Sequence, residues 1–142
     1  MNNDETYVAP YDRPHTVYVV ANYDLSKRVS FGANFVYATG QPITYPVARM
    51  EVGGVIVPIY SKRNEYRMPD YHRLDVSLTI KQANKSRRPW DGEWNFSIYN
   101  LYAHKNPWAI NFVGDIDNPG RTKAEMTYLF TFIPSVTYNF KF

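Results

Sequence analysis

Apolar and polar positions alternate along most of this chain, most clearly in Leu74-Asp-Val-Ser-Leu-Thr-Ile80. Leu74, Val76, Leu78 and Ile80 share one parity and Asp75, Ser77 and Thr79 the other, which predicts a strand with a single apolar face. Val17, Val19, Ala21 and Tyr23 alternate with Thr16, Tyr18 and Asn22, although Val20 falls on the polar side. Phe31, Ala33, Phe35 and Tyr37 oppose Ser30, Gly32 and Asn34 in the same way. Asp24-Leu-Ser-Lys-Arg28 between these two runs is short enough for a hairpin turn, so the two strands are expected to be antiparallel neighbours.

From Thr39 to Tyr71 the alternation stops, and Gly40, Pro42, Pro46, Gly53, Gly54, Pro58 and Pro69 punctuate a long connection. A connection of that length is uncommon without a purpose. Val55-Ile-Val-Pro-Ile-Tyr60 could form a small β excursion inside it, with Pro58 arguing against a central strand. A third strand is expected from about His72 to Lys81, followed by a turn that Asp91-Gly92 would close. The fourth begins with Trp94, Phe96 and Ile98 opposite Asn95, Ser97 and Tyr99. It is expected to continue past Asn106-Pro107 through Trp108, Ile110 and Phe112, with Pro107 marking a bulge or an edge. Val113 to Ala124 reads as a loop. A last strand runs from about Met126 to the terminus, where Val136, Tyr138, Phe140 and Phe142 alternate with Ser135, Thr137, Asn139 and Lys141. No 3.6-residue stripe is sustained anywhere, so the expected class is all-β, an antiparallel meander of about five long strands. Its turns alternate short and long, as in an outer-membrane barrel.

Composition leaves that picture open on both sides of the membrane question. The 142 residues are one ordinary domain at most, 44% hydrophobic and 17% aromatic, with 16 Lys+Arg against 13 Asp+Glu. This is not the composition of a disordered chain. A mean hydropathy of −0.47, without an apolar run near the roughly 20 residues a spanning helix needs, argues against a helical membrane protein. Alternating membrane strands hide their lipid face from such an average, so a β membrane protein is not excluded. Cysteine is absent, which removes disulfides, thiolate metal sites and a Cys nucleophile from consideration. The first residues, Met1-Asn-Asn-Asp-Glu-Thr-Tyr7, lack a basic and then apolar leader. An exported protein would need further sequence before them.

Candidate chemistry is sparse. Asp70-Tyr-His72 with Asp75 could be drawn as a metal cluster, but His72 and Asp75 fall on opposite strand faces by parity. Asp115-Ile-Asp-Asn-Pro-Gly120 begins like a calcium loop, yet Pro119 takes a ligand position and Met126 stands where the closing carboxylate belongs. Lys85-Ser-Arg-Arg88 beside Trp90 could suggest nucleic acid. A solvated turn next to an interfacial aromatic girdle explains it better, and no nucleic-acid partner is expected. No Ser-His-Asp order, Gly-rich phosphate loop or HExxH pattern occurs, so no enzymatic activity, catalytic residue, metal or cofactor is assigned. The long connection carries Arg49, Tyr60, Lys62, Arg63, Tyr66, Arg67 and Tyr71, a mixture able to stack on and hydrogen-bond a polar ligand. Arg49, Tyr60, Arg63, Tyr66, Arg67 and Tyr71 are the candidate ligand contacts.

Several segments together carry a family likeness: Tyr11-Asp-Arg-Pro-His15, Leu25-Ser-Lys-Arg28, Thr39-Gly-Gln-Pro42, Arg67-Met-Pro-Asp-Tyr-His-Arg-Leu-Asp75, Trp94-Asn-Phe-Ser-Ile-Tyr-Asn-Leu-Tyr102 with Lys105-Asn-Pro107, and the ending Ile133-Pro-Ser-Val-Thr-Tyr-Asn-Phe-Lys-Phe142. In this order, from Tyr11 onward, they resemble the C-terminal barrel portion of Gram-negative TonB-dependent outer-membrane receptors, of the type with a carboxypeptidase-regulatory-like N-terminal domain. The resemblance implies a large transmembrane β-barrel with an N-terminal plug, located in the outer membrane and importing a scarce nutrient with energy from the inner membrane. It leaves the ligand open among siderophore, glycan, peptide and cobalamin classes. Residues 1–142 would be the C-terminal portion of such a barrel, without plug or N-terminal strands. About five strands cannot close, because single-chain bacterial barrels have an even number from roughly 8 upward.

Under the resemblance, Phe31, Phe35, Leu74, Val76, Leu78, Ile80, Trp94, Phe96 and Ile98 face lipid. Val136, Tyr138, Phe140 and Phe142 form the signal read by the barrel-assembly machinery. Expected partners are outer-membrane lipid, that machinery, and the TonB energy-coupling system acting through the missing plug. The alternative is a soluble small β-barrel or β-sandwich that binds a small molecule, its apolar faces forming an internal core.

Overall fold

A computed structural model describes residues 6–82, 91–115 and 122–141. Among them the chain is all-β, with no helix and with antiparallel sheets. The strands are β1 (Thr16–Ser26), β2 (Val29–Ala38), β3 (Pro42–Ile43), β4 (Pro46–Val52), β5 (Val55–Tyr60), β6 (Tyr66–Arg67), β7 (Tyr71–Lys81), β8 (Asp91–Tyr99), β9 (Pro107–Gly114), β10 (Thr122–Tyr128) and β11 (Ile133–Lys141). They divide between two compact units. One comprises residues 16–37, 72–105 and 130–142, the other residues 1–15, 38–71 and 106–129.

The first unit is a five-stranded sheet in the order β1-β2-β7-β8-β11. Its long strands fall on the five alternating runs, the fourth and fifth of them shorter than the alternation reading has them, because a period of two is selected where two faces meet different surroundings. Lys27 and Arg28 alone join β1 to β2. The Ser26 hydroxyl closes that turn by accepting from the Arg28 and Val29 amides at 3.3 and 3.1 Å, the local side-chain-to-backbone bond that makes serine a turn residue. Across β7 and β8 the pairs are Val76 with Ile98, Leu78 with Phe96 and Ile80 with Trp94, alternating with Ser77 and Ser97, Thr79 and Asn95, Lys81 and Glu93. The next seam pairs Pro134 with Ile98, Val136 with Phe96 and Tyr138 with Trp94, alternating with Ser135 and Ser97, Thr137 and Asn95, Asn139 and Glu93. Directly opposed residues lie on the same face, so one face is apolar across all three strands and the other polar. A Cβ at Gly32 would fall 2.7 Å from Ser77 Oγ and 3.2 Å from Asn22 Oδ1, which puts Gly32 and Asn22 on the polar face.

The second unit holds three short two-stranded sheets, β3-β6, β4-β5 and β9-β10. Gly53 and Gly54, with φ of 61° and 83°, form the tip of the β4-β5 hairpin, where two consecutive left-handed residues match the twist of the flanking strands. Pro58 sits within β5 opposite Arg49, so the excursion forms as a two-stranded ribbon in which a missing N–H is tolerated.

Four boundaries differ from the alternation reading. The fourth strand ends at Tyr99, because Asn100 and Ala103 take left-handed backbone, with φ of 55° and 54°, and turn the chain. Trp108, Ile110 and Phe112 belong to the separate β9, paired with β10. β9 and β10 run to Gly114 and from Thr122, so the loop expected at Val113 to Ala124 is shorter, and the strand expected from Met126 onward is two elements divided at residues 129–132. Asp91-Gly92 is no turn: the pair lies in β8 opposite Lys141 and Phe140. A Cβ at Gly92 would collide with the Tyr138 side chain, so this glycine makes room for a neighbouring ring.

The buried positions among the described residues are Ala38, Gly40, Pro42, Pro46, Gly92 and Asn100. None is a large aliphatic or aromatic side chain, whereas a globular chain of about 150 residues buries roughly 70% of its unfolded surface around a contiguous apolar core.

Candidate membrane-facing surface and loop sites

The apolar face of the five-stranded sheet starts from period-two strands and ends as exposed hydrocarbon. Trp94 is 43% exposed, Phe96 42%, Val136 60% and Phe140 58%. Val76, Leu78, Ile80, Trp94, Phe96 and Ile98 share this face by register, and Leu74 joins it by parity. Phe31 borders the same shallow apolar hollow of about 320 Å³ as Val76, Leu78, Phe96, Ile98 and Val136, and Phe35 follows Phe31 by parity. Nearer the β1-β2 turn, aromatic rings cluster on this face. Trp94 and Tyr138 centroids lie 4.7 Å apart, Trp94 and Phe96 6.2 Å, Tyr138 and Phe140 6.2 Å. The Tyr138 hydroxyl accepts from Gln82 Nε2 at 3.1 Å, giving the ring a polar tip on an apolar body, the habit of aromatic residues where water meets hydrocarbon. Val136, Tyr138 and Phe140 lie together on β11, at the open edge of the sheet. Phe142 lies outside the described residues, as do Lys85-Ser-Arg-Arg88, Trp90 and residues 116–121 of the calcium-like loop.

At the other end of this unit, motif residues interlock. Arg73 donates to the Tyr99 hydroxyl at 2.6 Å and pairs with the Asp75 carboxylate at 3.0 Å. Asp75 also accepts from the Asn100 amide at 2.9 Å. The Asn100 side chain donates to the His104 carbonyl and accepts from the His104 amide at 2.9 and 3.1 Å, closing a clasp that explains its complete burial. His72 stacks on His104 with centroids 3.7 Å apart and shares a 2.8 Å hydrogen bond with Tyr102. Partial burial, then the His72 imidazole, holds His104 below the usual histidine range. Partial burial, then the Asp75 carboxylate, holds the Tyr102 phenol above its usual value. Stacked imidazoles direct their nitrogens sideways and cannot converge on an ion. No group of three metal-ligating side chains occurs among the described residues.

The six candidate ligand contacts of the long connection do not converge. Arg67 pairs with the Asp12 carboxylate and donates to the Asp12 and Gly40 carbonyls at 3.2 and 3.0 Å. Gly40 in turn donates to Asp70 at 2.9 Å, and the His15 and Thr39 backbones are linked at 3.0 Å. Three of the segments that carried the family likeness thus meet in one clasp. Arg63 lies over the Tyr7 ring at 4.2 Å, Tyr66 packs on Tyr45 at 5.5 Å, and Tyr71 opens β7. Arg49 and Tyr60 alone line a shared cleft, with Phe112, Gly114 and Thr122 of β9 and β10. The alternation of the short strands carried no signal for those three, since the pairing of two separate insertions brings them there.

No family model, curated protein or solved structure matches this chain.

Proposed function

We propose that the chain is the C-terminal portion of the β-barrel of a TonB-dependent outer-membrane receptor that takes up a scarce nutrient. One observation carries the reading: an apolar face that runs by register across β7, β8 and β11 and leaves Ile80, Trp94, Phe96, Val136 and Phe140 exposed, backed by an equally continuous polar face, with no large aliphatic or aromatic side chain fully buried among the described residues. In water such a patch is a liability. In a barrel wall the apolar face meets lipid and the polar face the lumen or plug, and every side chain has a suitable solvent. The order of the likeness segments supports the same assignment. On this reading Val136, Tyr138, Phe140 and Phe142 are also the assembly signal, since an open edge with alternating side chains offers backbone groups for affinity and pockets for register. Enzymatic activity has no place in it.

The test is the state of the full chain with and without detergent. It should aggregate in buffer and become monodisperse, strand-rich and quenched by bromine-labelled acyl chains at Trp94 in micelles, in a variant carrying Trp90→Phe and Trp108→Phe. A monodisperse, cooperatively melting monomer without detergent would overturn the reading in favour of the soluble small-molecule binder. For the assembly signal, deleting Phe142 or changing Tyr138 and Phe140 to Ser in a full-length receptor should lower insertion in cells far more than refolding into detergent. Equal losses would make these residues packing alone.

A further inference from the structure

A notch in the second unit, about 310 Å³ in volume, is lined by Tyr45, Pro46, Val47 and Tyr66. The backbone holds both of its rings. Tyr66 stands in β6 opposite Ile43 of β3. Two residues beyond Ile43, the Tyr45 amide donates to Ser61 Oγ at 3.0 Å and the Tyr45 carbonyl accepts from the Ser61 amide at 2.7 Å. The Tyr45 ring rests edge-on against Phe112, with centroids 4.8 Å apart and planes at 78°, and the buried Pro46 locks φ at the next position. Side chains tied down in this way have little freedom left to lose when a ligand arrives. Tyr45 and Tyr66 have centroids 5.5 Å apart and planes inclined at 49°, so the pair forms a V and not a flat platform. Both residues are exposed, and neither phenol hydroxyl has a hydrogen-bond partner among the described residues. A sugar ring lays one broad face on one aromatic ring, whereas a V receives a compact, puckered ring against both walls. Proline supplies that ring. Runs of proline adopt the polyproline II helix, which has no internal hydrogen bonds, so its carbonyls are open to a phenol O–H. Aromatic-lined grooves capture such segments because the ligand is ordered before it binds.

We propose that the notch binds a proline-rich peptide in the polyproline II conformation, one prolyl ring seated across the tilted faces of Tyr45 and Tyr66 and the two phenols donating to its backbone carbonyls. The inference rests on the receptor reading for its biological meaning, since in a transporter it names peptide as the class of nutrient captured by the long connection, but the binding itself is testable apart from that reading.

The test uses the full chain in micelles, with fluorescein-labelled hexaproline and an equally labelled Gly-Ser hexapeptide as probes, followed by fluorescence anisotropy. Hexaproline should bind at least about tenfold more tightly than the flexible control, which must be ordered on binding. Tyr66→Ala should weaken hexaproline about tenfold or more, as removal of an aromatic anchor does. Should that variant lose its strand circular dichroism, Tyr45→Phe with Tyr66→Phe is the second test. It keeps both rings, removes both hydroxyls, and should weaken hexaproline about threefold or more. Unlabelled maltohexaose should leave bound hexaproline in place. Equal binding of the two peptides, no binding of either, unchanged binding in the tyrosine variants, or displacement by maltohexaose would overturn the site. A chain that binds hexaproline yet stays monodisperse without detergent would keep the site and overturn the receptor reading, and one that needs detergent but binds neither peptide would do the reverse.

Discussion

Gly40 shows how a single residue can fix a junction that periodicity does not reach. Its amide donates to Asp70, its carbonyl accepts from Arg67, and a Cβ there would lie inside contact distance of the Met68 carbonyl. Gly40→Ala must therefore move backbone, and should cost roughly 1–3 kcal/mol or more, read as a lower urea midpoint for the chain in micelles. Arg67 carries the same lesson from the other side: a residue that looks like a ligand contact in sequence is held by Asp12 and Gly40. The His104 clasp adds a pH prediction. The rings facing His104 are the stacked His72 and the tilted Tyr102. The folded imidazole resists protonation, so an opened clasp takes up a proton first, and opening is favoured as pH falls through the ordinary histidine value of 6.5. Protection of the His104 amide against hydrogen exchange, corrected for intrinsic rates, should drop between pH 8 and 5. His104→Gln should flatten that dependence, and a flat profile in the unaltered chain would overturn the link between His104 protonation and opening of the clasp.

At the scale of elements, the faces of β7 make unequal predictions for adjacent residues. On the proposed receptor reading, in the full-length barrel refolded into vesicles, Val76→Arg should cost about 2–4 kcal/mol near the midplane, while Ser77→Arg should be milder. Equal losses of folded fraction on a shift-mobility gel would contradict the two-faced strand. Gly92 and Tyr138 form a second element-level pair. Gly92→Ala should displace the Tyr138 ring and break its bond to Gln82 Nε2, detectable as a changed tyrosine environment in near-ultraviolet circular dichroism, whereas Tyr138→Phe should lose the hydrogen bond and keep the ring. Both outcomes depend on a cross-strand neighbour rather than on the propensity of either residue.

For the whole molecule, the expected consequence of exposed apolar residues on β8 and β11 and of the outer position of β1 and β11 in the sheet is association. Outer strands present unpaired backbone groups to any passing strand, and β11 carries Val136 and Phe140 at 60% and 58% exposure. Without detergent the chain should form thioflavin-positive β aggregates, and Val136→Lys with Phe140→Lys should slow their formation. The same pair of changes should reduce quenching by bromine-labelled lipid, because charge on the apolar face opposes burial in hydrocarbon. A variant that aggregates as fast as the parent would show that another surface drives association.

The strand class, the five long strands and the assignment of apolar and polar residues to faces follow from the sequence itself, because alternation is a local property of the pleat and Leu74 to Ile80 needs no partner to display it. The end of β8 at Asn100, the separation of β9 and β10 from β11 and the place of Gly92 inside a strand do not. Each depends on a contact made by residues distant in sequence: Asp75 holding the Asn100 amide, β9 finding β10, and Tyr138 lying over Gly92. The loop cleft is the extreme case. Arg49 and Tyr60 are visible in the chain as a cation and a ring, but their meeting with Phe112, Gly114 and Thr122 is decided only when two insertions, dozens of residues apart, fold against each other.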